Sequence, residues 1–173
     1  MGSQSTNSGS NSNWRGYSGR QSISYVRDQV YKHYKNDLEK EIEEKQLNKE
    51  NPIDKIKIDE IEESYKSKHK IKLSKVYYNY KAIGSHRFIE LYLTCKYCSF
   101  SKYVRMDKTD DARKNMVCFN SAFEESGWWY WEYVPERTDF EDCINYFNNA
   151  PTGYHKLLNN CADFARYIWN RLD

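Results

Sequence analysis

Cys161 is the residue of this chain best placed to act as a nucleophile. It follows Asn159-Asn160 and opens a run in which Phe164, Ala165, Ile168, Trp169 and Leu172 recur at helical spacing. A thiol in the first turn of a helix feels the positive end of the dipole and the unpaired amides there, and both favour the thiolate. Phe164 and Ala165 stand three and four residues on, so the sulfur points to the apolar side of the helix. A cysteine so placed is either a small buried hydrophobe or, where a histidine meets it, the nucleophile of an acyl transfer.

Twelve residues follow Cys161 and none is a histidine, so any base lies upstream. Of the four histidines, His33 and His69 fall in a charged helical region and read as surface residues. His155, six positions before Cys161 in the turn that enters the helix, is an alternative base without rigid support. His86 follows Gly84-Ser85 and opens an alternating stretch that runs to Thr94, so a sheet would hold it firmly. It is the preferred partner. An orienting acceptor belongs on the returning strand, read as Phe100 to Met106. Ser101, Tyr103 and Arg105 share one face there, and none of them accepts a hydrogen bond as Asp, Asn or His would.

Cys95-Lys96-Tyr97-Cys98 sits at the tip of the hairpin and has the form of half a zinc knuckle. Zinc takes four ligands, and the sequence offers no second Cys-x-x-Cys and no His pair at ligand spacing. Cys118 and Cys143 would join Cys95 and Cys98 only if the fold gathered them, so no cofactor is expected. The aromatic run from Gly127 to Tyr133 reads as a strand covered on both faces, or as one wall of a ligand site. Gly-rich phosphate loops, paired catalytic carboxylates and zinc-peptidase motifs are absent from the sequence.

The elements that must position these residues follow from the changing pattern along 173 residues. Residues 1–20 are almost all Ser, Asn, Gly, Gln and Thr and cannot bury enough apolar surface to order themselves. Met1-Gly2-Ser3-Gln4-Ser5-Thr6 fits the N-myristoylation pattern, which would give Gly2 one acyl chain and reversible, partial membrane association. Residues 21–70 are rich in Lys, Glu and Asp. The spacing predicts one helix from Ser22 to just before Asn51-Pro52 and another from Asp54 to Ser67. Residues 71–173 alternate as strands and then close with two helices, the first started by a capping box at Thr138-Asp139-Phe140-Glu141. Aromatic residues make up 16% of the chain and concentrate here, which marks a packed core. The fold class is therefore α+β: a small antiparallel sheet packed by a C-terminal helix that carries Cys161, preceded by charged helices. Lys and Arg number 27 against 25 Asp and Glu, which excludes a strong polyanion-binding field and hence a nucleic-acid partner. Without a transmembrane-length apolar run or a secretory leader, five cysteines read as reduced thiols of a cytoplasmic protein.

The segment Tyr154 to Arg166 resembles the nucleophile segment of permuted papain-like cysteine proteins, among them the lecithin retinol acyltransferase-like and PPPDE-type families of the NlpC-type superfamily. Tyr154, Asn160, Cys161 and Phe164 match their Tyr-x-Leu-x-x-Asn-Asn-Cys-x-x-Phe pattern. The resemblance implies a chain order reversed relative to papain, with a catalytic histidine opening a strand and the cysteine helix coming last. That places Cys161 as nucleophile and His86 as base in a thiol hydrolase or acyltransferase. Ala162 and Asp163 stand where the acyltransferase branch carries Glu and His, so its lipid substrates do not carry over. An amide, isopeptide or ester of a peptide, protein or lipid is the expected substrate. The alternative is a non-catalytic domain of the same fold that binds a protein or peptide.

Overall fold

Ser22 starts the first helix by accepting the Tyr25 amide on its hydroxyl at 3.1 Å, and α1 runs Ile23–Tyr31. This computed structural model describes residues 21–47, 54–81, 86–109, 111–153, 155 and 160–173. Gly2 and the polar tail, Gly84-Ser85 and Tyr154 lie outside the described residues. The single long helix expected from Ser22 is instead two. His33 donates from Nδ1 to the Val30 carbonyl at 3.2 Å and the Lys35 amide bonds Lys32 O at 3.1 Å, a turn that separates α1 from α2, Lys35–Leu47. A helix interior would have paired those carbonyls four residues on. Asp54 caps α3, Lys55–Lys68, through the Lys57 amide at 2.9 Å.

Five strands follow as β1 Ile71–Lys81, β2 Arg87–Cys95, β3 Ser101–Lys108, β4 Lys114–Phe119 and β5 Trp128–Tyr133. They form one antiparallel sheet in the order β4-β3-β2-β1-β5. Alternation sorts their side chains onto two faces. Val76, Tyr78, Ile89, Leu91, Leu93, Val104, Met106 and Met116 form the main core face. The helices α4, Phe140–Asn149, and α5, Cys161–Trp169, bury Phe140, Ile144, Phe147, Phe164, Ala165 and Ile168 against it. Val26 and Val30 of α1 complete the same core, so this helix belongs to the packing unit of the sheet. The opposite face holds a smaller cluster of Phe88, Val117, Phe123 and Trp128. Beside it lies the buried pair of Arg105 Nε and Glu90 Oε2 at 2.6 Å. Arg105 is thus committed to Glu90.

His69, expected at the surface, is buried at 7% exposure, and two further local expectations differ from the structure. The capping box of α4 is built by Asp139 and Asp142, one residue later than predicted. Glu141 is drawn away by α1, accepting from Arg27 Nη2 at 2.6 Å and from the Tyr31 hydroxyl at 2.7 Å. The second concerns β5. As an edge strand bonded to β1 alone, it buries Trp128 at 3% exposure but leaves Trp129 and Trp131 more than half exposed, at 58% and 53%. Both of its faces are therefore not covered. Among the described residues, no helix is long and apolar enough to cross a membrane.

Candidate active site

The helix that carries Cys161 is fixed at both its start and its flank. Asn160 accepts the Ala162 and Asp163 amides on Oδ1, each at 3.0 Å, and Asp163 accepts the Asn160 amide in return at 3.2 Å. Phe164, Ala165 and Ile168 anchor the helix on β2 and β3 and leave it no freedom to slide. Lys108 and Lys114 secure the approach to it. Lys108 Nζ donates to the Pro151 carbonyl at 2.8 Å, and Lys114 Nζ donates to the carbonyls of Phe147, Asn148 and Ala150 at 2.8–3.0 Å, closing the end of α4.

His86 immediately precedes β2 and meets the sulfur. The Cys161 thiol is hydrogen-bonded to the His86 ring and also accepts the main-chain amide of Arg87. The other side of the ring is held by Asp107, whose Oδ2 stands 2.8 Å from His86 Nε2. Asp107 lies on β3, fully buried, directly across from Asn115 of β4, and Asn115 Nδ2 donates to its Oδ1 at 2.9 Å. Cys161, His86, Asp107 and Asn115 thus form one continuous chain of hydrogen bonds from α5 across the end of the sheet. Phe88 and Trp128 flank the imidazole, with centroids 6.2 and 6.4 Å away, so the aromatic wall contributes Trp128 to the site.

Burial alone would push the imidazole toward its neutral form. The hydrogen bonds to Asp107 and Cys161, together with the charge of both groups, outweigh it and raise the His86 pKa from 6.5 to about 9. For the Cys161 thiol, burial likewise favours the neutral form. The hydrogen bond and charge of His86 and the Arg87 amide reverse it and hold the thiol below its usual range. The two shifts have one origin, since each partner favours the charged form of the other. Such a pair supplies a nucleophile and a proton donor in contact with each other.

The residues expected to meet are therefore together in Cys161 and His86, while His155 is exposed to solvent. The acceptor that sequence reasoning missed is Asp107. It continues the alternation of Ser101, Tyr103 and Arg105 by one step, past the Met106 at which the strand was expected to end. Reading β3 two residues further would have found it. Cys95 and Cys98 stand in a second cluster, and the side chains beside them are His33 and His69 rather than Cys118 or Cys143. A cavity of about 500 Å³ bounded by Tyr31, Tyr34, His69, Ile71 and Phe140 does not include the Cys161–His86 pair. Comparison with known proteins finds no matching family model, no matching curated protein and no matching solved structure.

Proposed function

We propose that this protein is a cysteine-dependent hydrolase or acyl-transfer enzyme with Cys161 as nucleophile, His86 as base and then acid, and Asp107 as the residue that orients the imidazole. The observation that carries this reading is the hydrogen-bonded series of Cys161, His86 and Asp107, assembled from three separate elements. Structural cysteines have no need of a buried, carboxylate-supported imidazolium, which costs several kcal/mol to desolvate unless a function retains it. The arrangement of a base at the start of a strand and a nucleophile on the last helix also fits a permuted papain-like fold.

In the reaction, Cys161 Sγ attacks the carbonyl carbon of an amide or ester and the C=O electron pair moves to oxygen. With Nε2 engaged by Asp107, Nδ1 is the nitrogen that serves the sulfur and then protonates the leaving amine or alcohol as the tetrahedral species collapses to a thioester. Water or an acceptor nucleophile then loses its proton to the same nitrogen and attacks the thioester; the C–S bond breaks, the acid or transferred acyl product leaves, and the sulfur regains the proton from Nδ1. The exposed aromatic edge at Trp129, Tyr130 and Trp131 favours a second reading, a domain that binds a peptide or protein without turning it over.

The two readings separate on a single adduct. Incubation with a p-nitrophenyl ester is expected to leave a hydroxylamine-labile acyl group on Cys161, mapped by peptide mass spectrometry, and none on a Cys161→Ala protein. Acylation confined to the exposed Cys98, or none at all, would favour the binding module.

A further inference from the structure

The turn that interrupts the first helix, the end of the third helix and the tip of the β2–β3 hairpin converge on one point. His33 comes from the turn between α1 and α2, His69 from the C-cap of α3, and Cys95 and Cys98 from the hairpin. One ligand atom from each of the four side chains lies within 4.8 Å of all the others. The geometry points to a structural zinc site with a Cys2His2 ligand set, which staples the helical segment to the end of the sheet.

The donor atoms are arranged as a metal would need them. Tetrahedral zinc, with Zn–S near 2.3 Å and Zn–N near 2.0–2.1 Å, holds its ligand atoms about 3.3–3.8 Å apart. Cys95 Sγ and His69 Nδ1 are 3.4 Å apart. His33 provides the clearest indication. Its Nδ1 donates to the Val30 carbonyl at 3.2 Å, which fixes the neutral tautomer and leaves the lone pair on Nε2. That Nε2 is buried and has no hydrogen-bond partner among the described residues. A buried nitrogen lone pair without a donor is costly, whereas a metal-bound histidine commonly gives its second ring N–H to a backbone carbonyl.

The hairpin supplies the other half. The Tyr97 amide donates to Cys95 Sγ at 3.3 Å, two residues on, and the Phe100 amide donates to Cys98 in the same register. The two amides hold both sulfurs in place for an ion; without an ion, burial and the neighbouring Cys95 push the Cys98 thiol up despite the Phe100 amide. Phe100 stacks on His33 with centroids 4.2 Å apart, and Tyr34, Tyr65 and Tyr97 surround His69 at 5.2, 5.9 and 4.9 Å. These rings fix both imidazoles and keep water from the buried side. Cys98 is exposed and gives an ion its way in.

This site is separate from the proposed catalytic one. Cys95 closes β2 whereas His86 precedes its first residue, and nine extended residues span about 26 Å. With four protein ligands it has no open position for substrate, so its role is to hold structure. Zinc here would tether α2 and α3, in which Ile61 is the one buried residue, to α1 and the end of the sheet.

The test uses the full chain purified under reducing conditions. We expect one equivalent of zinc per chain by elemental analysis, and substitution by cobalt(II) is expected to give the intense visible bands of tetrahedral coordination with a thiolate charge-transfer band. Chelation should lower the thermal midpoint and re-addition of zinc should restore it. Cys98→Ser, at an exposed position, and His69→Ala should each abolish the cobalt spectrum, while Cys118→Ser leaves it intact. Where a variant fails to fold, cobalt titration of the unaltered chain still decides. A chain that takes up no stoichiometric metal with its thiols reduced, or a cobalt spectrum unchanged by Cys98→Ser, would overturn the assignment. A Cys95–Cys98 disulfide that forms in preference to metal binding would do so as well.

Discussion

Replacing His86 with alanine is expected to lower the rate of Cys161 acylation by about 10²–10⁴-fold, the range that a positioned acid–base group contributes. The loss has two sources. His86 donates to the sulfur and stabilises its anion, and it carries the proton to the leaving group. Without the imidazolium, burial and the Asp107 charge act against the thiolate with only the Arg87 amide opposing them, so the thiol pKa rises and less thiolate remains at neutral pH. His155→Ala is the matched control, since that side chain is solvent-exposed. Asp107→Asn keeps the shape but removes the charge that helps hold the imidazolium, and its rate is expected to fall between wild type and His86→Ala. Hydroxylamine-sensitive adduct formation, followed with time on proteins of matched circular dichroism, measures all four. Equal rates for His86→Ala and wild type would remove the dyad from the account.

Truncating Phe164 to alanine is expected to destabilise the protein by about 3–5 kcal/mol, much of the marginal stability of a single domain. Its side chain is 2% exposed and meets Phe147 edge-on at 5.9 Å, so it fills the space between α4, α5 and the sheet. A cavity there cannot collapse readily, because Ala165 and Ile168 on the same helix face are fully buried and hold the backbone at its distance. Urea denaturation should show a lower midpoint at an unchanged slope. An unchanged midpoint would mean that α5 does not cover the sheet.

What could be read from the residues alone was whatever local periodicity determines. The alternation from His86 to Thr94 and the helical spacing around Cys161 were legible as a strand and a helix, observed as Arg87–Cys95 and Cys161–Trp169, because each spans enough residues for its period to show. Asp107 escaped because charged residues at a strand end look like the start of a loop. In the fold, Asn115 on the neighbouring strand and His86 satisfy both of its oxygens and let β3 continue. His33 and His69 escaped for a different reason. They come from the ends of separate helices, 36 residues apart, and no spacing rule connects them to Cys95 and Cys98. The capping box shifted by one residue for the same kind of reason: Glu141 pairs with Arg27, 114 positions away. Each miss is a long-range contact overriding a local preference.

The claim at the centre of this account is that Cys161 and His86 form a thiolate–imidazolium pair. The pH dependence of Cys161 alkylation by iodoacetamide, read by mass spectrometry at that cysteine, tests it most directly. His86 protonated up to about pH 9 stabilises the sulfur anion, so reactivity is expected to rise through a pH below the ordinary thiol range. It should change again near pH 9 as the imidazolium loses its proton. In His86→Ala the first inflection should move upward, because burial is then opposed by the Arg87 amide alone. A single inflection at the ordinary thiol position, identical in wild type and His86→Ala, would contradict the pair.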